Sequence, residues 1–145
     1  MLAYLADEPG AGEDVRALVE DPVRTPGISV VNAAEVVDRL SGQAGVPADE
    51  AVADVVQTGC CLVDVDDGIA LLAGALRSRH YRRRDRPVGL ADCVAAATAL
   101  RSPLVTALAT SDRHLLDVVF EEGGQVHPLP ASDGSRHVPG GDGSG

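Results

Sequence analysis

The run Val88-Gly89-Leu90-Ala91-Asp92-Cys93-Val94-Ala95-Ala96-Ala97-Thr98-Ala99-Leu100 constrains this chain more than any other stretch. It has the length of a helix and is apolar nearly all round, so it must sit at the centre of a fold with other elements against several of its sides. One carboxylate, Asp92, interrupts it. The residues one turn away, Val88, Gly89, Ala95 and Ala96, offer no side chain that could pair with a charge. A buried carboxylate without a partner is expensive. Asp92 is therefore expected to be protonated, paired with a residue distant in sequence, or bound to a metal.

Around this helix the pattern alternates. An apolar start (Met1 to Ala6) leads to an amphipathic segment, Gly12 to Asp21, with Val15, Leu18 and Val19 on one face. Ile28 to Val31 predicts a short strand and Asn32 to Leu40 a helix. Pro47 opens a second helix to Gln57, since its missing N–H costs nothing in a first turn. Cys60 to Val65 predicts a strand, and Asp66 to Ser78 a helix with acids at its start and Arg at its end, matching the macrodipole. A strand from Leu104 continuing to Thr110, a helix from Asp112 to Phe120 and a last strand at Gln125 to His127 complete the order. Strands separated by helices indicate a parallel sheet covered by helices, an α/β sandwich. From Ala131 the chain is Gly, Ser, Asp and Pro with little to bury, which predicts a domain over residues 1–130 and a disordered tail over 131–145.

Composition narrows the chemistry. The apolar share of 45% rests on Ala, Val and Leu, with one Phe, two Tyr and no Trp, which suits small-residue helix packing against a Val-rich sheet. A net charge of −10 counts against a protein that coats nucleic acid by neutralising phosphates, though not against a nuclease with a local basic patch. All twelve basic residues are Arg. Without Lys, receiver-type phospho-acceptor chemistry has little support. Six of those Arg fall at positions 77, 79, 82, 83, 84 and 86, either a solvated helix end or a contact for phosphate or a partner. Cys60, Cys61 and Cys93 form no C-x-x-C pair and lie in apolar runs, so they are expected to be buried reduced thiols, pointing to the cytoplasm. None has a setting that suggests a nucleophile. The sequence predicts no signal peptide and no membrane span.

Ligands in open parallel sheets gather at the carboxyl ends of the strands. Three acids follow such ends or face them: Glu35, Asp92 and Asp112. Glu35 also fits a capping box with Asn32, and Asp112 an ordinary helix cap. Several carboxylates at one sheet edge repel one another unless a divalent cation joins them. Mg²⁺ or Mn²⁺ is the usual solution when the substrate is a phosphodiester.

Three segments then resemble one family in order and separation. Ile28-Ser29-Val30-Val31-Asn32-Ala33-Ala34-Glu35-Val36, Gly89 to Ala97 around Asp92, and Ala109-Thr110-Ser111-Asp112-Arg113-His114-Leu115-Leu116 are similar to the acidic segments of PIN-domain ribonucleases of the VapC-like toxin type. The resemblance runs from about residue 2 to about residue 130. It implies a PIN-like three-layer sandwich, with a central parallel sheet flanked by helices. It implies metal-dependent endonucleolytic cleavage of RNA, with Glu35, Asp92 and Asp112 as metal-site acids and Thr110 lining the pocket. It further implies a cognate antitoxin and a homodimer. An amphipathic antitoxin segment would suit apolar surface between the Gly12–Asp21 and Asn32–Leu40 helices, and an antitoxin Arg would suit the acidic pocket. A PIN-like module that has lost catalysis and works by protein binding is the competing expectation.

At its start the sequence departs from the family pattern, which opens with a strand ending in an aspartate. Met1-Leu2-Ala3-Tyr4-Leu5 matches only the helix after that strand, and Asp7 comes too late to replace the acid. The expectation is an α/β fold with its first strand missing, restored by in-frame sequence upstream of Met1, the other possibility being a truncated, impaired gene product.

Overall fold

A computed structural model describes residues 11–131 and 133–140. The readings of Met1 to Leu5, of Asp7 and of the end of the tail lie outside the described residues. The elements in chain order are α1 (Ala11–Val19), β1 (Gly27–Ser29), α2 (Val30–Gly42), α3 (Ala48–Gln57), β2 (Cys61–Val63), α4 (Asp67–His80), α5 (Leu90–Arg101), β3 (Leu108–Thr110), α6 (Arg113–Glu121) and β4 (Val126–Pro128). The alternation read from the sequence is present, and the chain is an α/β protein.

The strands form two parallel pairs. β1 lies on β2 with Gly27 opposite Cys61 and Ser29 opposite Val63, and β3 lies on β4 with Leu108 opposite Val126 and Thr110 opposite Pro128. The first three strands are shorter than their apolar runs suggested, and the last keeps three residues, one position later than expected. At the first pair the reason is local: the Ser29 side chain accepts the amide of Asn32 (3.1 Å) and turns the chain into a helix at Val30, two residues before the expected start. At the second pair, Leu104 to Ala107 lie outside any strand and Leu104 is 83% exposed.

Helix α5 is central, as its apolar circumference requires. It packs against α4, α2, α6, β1 and β3. Cys93, Ala96 and Ala97 are fully buried, and Thr98 hides its hydroxyl by donating to Val94 O (2.8 Å). The main core joins these residues to Ile69, Ala73 and Leu76 of α4 and to Leu115, Val118 and Val119 of α6. A second, smaller cluster joins Ala33, Val36 and Leu40 of α2 to Ala51 and Val55 of α3. Helices α4 and α5 run antiparallel: the Arg101 side chain at the end of α5 lies over Gly68 at the start of α4, where a Cβ would collide with it.

The cysteines correct one expectation. Cys93 is buried, but Cys60 is only half-buried and Cys61 is exposed. β2 pairs only with β1 among the described residues, and its face carrying Leu62, 57% exposed, is uncovered. An apolar run therefore did not ensure burial there. Residues beyond Ala131 also make contacts: Arg136 pairs with Asp14 and donates to Pro128 O (2.9 Å), and His137 Nε2 stands 2.7 Å from Asp117 Oδ1.

Candidate functional site

The three acids come from α5 and from parts of the chain packed against it. Glu35 is on α2, Asp92 on α5, and Asp112 between β3 and α6, for which it is the N-cap. Asp92 is half-buried. Its carboxyl is pushed above the ordinary aspartate range, first by burial and then by the negative charges of Asp112 and Glu35. Those repulsions place Glu35 and Asp112 each within electrostatic reach of Asp92.

Asp92 has a partner that the sequence reading did not foresee. Gly89 is the N-cap of α5, and its backbone N–H donates to Asp92 Oδ2 (2.7 Å), which opposes the upward shift. No side chain one turn away can pair with Asp92, but an otherwise unsatisfied amide at the start of the same helix can. No hydrogen bond engages Asp92 Oδ1 among the described residues.

Glu35 is not part of a capping box. Ser29, not Asn32, caps α2, so Glu35 falls beyond the third helical position and pairs instead with Arg39 (2.7 Å), one turn on. Asn32 has a different use. Its Oδ1 accepts from the Ser29 hydroxyl (2.5 Å) and its Nδ2 donates to Ala91 O (3.1 Å). That bond ties the first turn of α2 to the residue before Asp92 and fixes the spacing between the elements carrying Glu35 and Asp92. Sequence reasoning missed this residue because its partner is 59 positions away.

Asp112 behaves as the cap it could have been. Its Oδ1 accepts the amides of His114 (2.8 Å) and Leu115 (3.3 Å). Thr110 Oγ1 accepts the amide of Asp112 (3.1 Å), so the hydroxyl shapes the turn that presents the acid.

A donor set of carboxylate oxygens fits a hard divalent ion such as Mg²⁺ or Mn²⁺. A cation beside Asp92 would reverse the repulsion that raises its proton affinity. Among the described residues, however, no three His, Cys, Asp or Glu side chains are grouped closely enough to hold one ion together.

A family model of the PIN domain matches residues 1–121, and the chain belongs to the PIN-domain family. PIN domains are α/β nucleases that generally depend on divalent metal ions. No curated protein and no solved structure matches the chain. Among the described residues, no helix is long and apolar enough to cross a membrane.

Proposed function

We propose that the chain is a Mg²⁺- or Mn²⁺-dependent endoribonuclease of the VapC-like toxin type, with Glu35, Asp92 and Asp112 as metal-site acids. The observation that carries the reading is that Glu35 and Asp112, from two other parts of the fold, both bear electrostatically on Asp92 in the first turn of α5, in a PIN-family chain. When bound, the divalent ion supplies Lewis acidity toward the scissile phosphate and lowers the pKa of attacking water. The protein supplies placement. The Gly89 amide holds one oxygen of Asp92, Asn32 holds α2 against α5, and Thr110 shapes the turn under Asp112. Arg39 shares Glu35 and keeps it from adding its full charge to the pocket. The same reading includes an RNA substrate, a cognate antitoxin that would cover the acidic pocket, a homodimer, a cytoplasmic location and a domain ending near residue 130.

The test is cleavage of labelled RNA by the full chain with Mn²⁺ or Mg²⁺, and with EDTA. Cutting is expected with metal only, and Asp92→Asn is expected to abolish it while leaving the circular dichroism spectrum unchanged. Full activity in Asp92→Asn would contradict the assignment. The Glu35–Arg39 pair and the ungrouped acids favour a second reading, a PIN module that acts by binding protein. That reading predicts no cleavage with either metal, and a stable complex with the product of a small neighbouring gene.

A further inference from the structure

The Arg-rich segment is not a uniformly solvated helix end: two of its guanidinium groups are neutralised and others are left open. Arg79 pairs with Glu122 (2.9 Å), and Arg86 reaches both oxygens of Glu121 (2.9 and 2.6 Å). Between them, His80 Nε2 stands 2.7 Å from Glu122 Oε1, and Arg86 lies 3.2 Å from His80 Nδ1. These bonds pin the segment to the end of α6. Reciprocal backbone bonds between Arg82 and Arg86 (2.9 and 2.8 Å) then close a tight turn whose exposed tip is Arg83-Arg84-Asp85. Arg83 and Arg84 make no ion pair among the described residues.

Beside this tip stands an aromatic ring. Tyr81 is 38% exposed, and the Arg77 guanidinium lies 4.8 Å from its ring centroid. The two residues, with Gly74 and Ser78, line an open depression of about 420 Å³. Gly74 forms part of it, and a Cβ there would touch nothing. A chain with one Phe, two Tyr and no Trp thus sets one of its few rings among unneutralised guanidinium groups. The position is also informative. Because α4 and α5 are antiparallel, the end of α4 adjoins the start of α5, and the Arg77 charge bears on Cys93, the neighbour of Asp92.

We propose that Gly74, Arg77, Tyr81, Arg83 and Arg84 form a binding site for single-stranded RNA, next to but separate from the three acids. A base stacks against the Arg77–Tyr81 pair, in which the guanidinium covers one face of the ring, and Arg83 and Arg84 take backbone phosphates. Stacking on an aromatic ring flanked by cations is how proteins hold single strands without reading sequence. A local positive tip gives an acidic protein a purchase on a polyanion that its net charge of −10 would otherwise repel. The inference rests on the nuclease reading for its substrate class, but its test does not.

The experiment is fluorescence anisotropy of a short labelled single-stranded RNA with the full chain in EDTA, across a salt series. Arg83→Ala/Arg84→Ala should weaken binding about tenfold or more and reduce the magnitude of the salt slope by about 1.4, the value for two phosphate contacts on a single strand. Tyr81→Ala should weaken binding roughly five- to hundredfold with the slope unchanged. Gly74→Leu should also weaken it by filling the depression; Leu is the better helix former, so melting should not suffer. Wild-type affinity in all three variants would overturn the proposal. So would unchanged RNA binding with lost binding of polyglutamate in the Arg83/Arg84 variant, which would mark a surface for acidic proteins. Cleavage with Mn²⁺ is read separately on the same preparations. A protein that cuts but binds RNA equally in all variants keeps the nuclease reading and loses this site. One that binds through Arg83 and Arg84 but never cuts keeps this site and loses the nuclease reading.

Discussion

The Asp112 carboxylate ends a strand and starts a helix, and substitution can separate that role from any role toward a metal. Asn keeps an oxygen for the amides of His114 and Leu115, whereas Ala does not. Asp112→Ala is expected to cost about 1 kcal/mol in urea unfolding, the usual value of a lost N-cap, and Asp112→Asn much less. Both are expected to remove RNA cleavage. If Asp112→Asn cut RNA normally, the residue would be a cap only. The three acids stand out as candidates in the sequence because each occupies a segment similar to those of PIN domains. What holds them in place does not. The Asn32 contact to Ala91 depends on tertiary packing, and the Gly89 amide becomes a donor only once the start of α5 is fixed. The capping-box alternative for Glu35 stayed open in the sequence because Ser29 and Asn32 are both good caps, and only the backbone shows which one the helix uses.

At the scale of elements, α5 was the most legible because an apolar circumference allows only a central position. The Arg-rich segment was less so, since Glu121 and Glu122, which pin it, lie about 40 residues away. Their acidities give a pH dependence. The Arg86 hydrogen bond holds Glu121 below the ordinary glutamate value of 4.5, and the His80 and then Arg79 bonds do the same for Glu122. A depressed folded-state pKa contributes stability above the unfolded value and loses it as pH falls through the folded one. The double variant Glu121→Gln/Glu122→Gln is therefore expected to be less stable than wild type at pH 7, and equal to it in strong acid. Both carboxylates are solvent-accessible, so the neutral-pH difference should be no more than about 1 kcal/mol per pair. Urea unfolding at the two pH values measures it, and a difference that persisted in acid would mean that the ion pairs are not its source.

For the whole molecule, one core of small residues holds α4, α5 and α6 together. Leu76 is fully buried in that core, so Leu76→Ala is expected to cost about 2–5 kcal/mol. At this chain length each kcal/mol lowers the melting temperature by roughly 2–4 °C. The alternation of strands and helices made the α/β class readable. The length of each strand was not, because capping at Ser29 and the exposed 104–107 segment are decided by three-dimensional context. The central proposal is that Glu35, Asp92 and Asp112 serve a divalent-ion site, with Asp92 at its centre. A Mn²⁺ titration followed by electron paramagnetic resonance tests it most directly. Wild type is expected to bind Mn²⁺, with Asp92→Asn and Asp112→Asn each weakening it at least about tenfold, the lower end of what the loss of even an outer-shell partner costs. Equal Mn²⁺ affinity in wild type and both variants would contradict the claim.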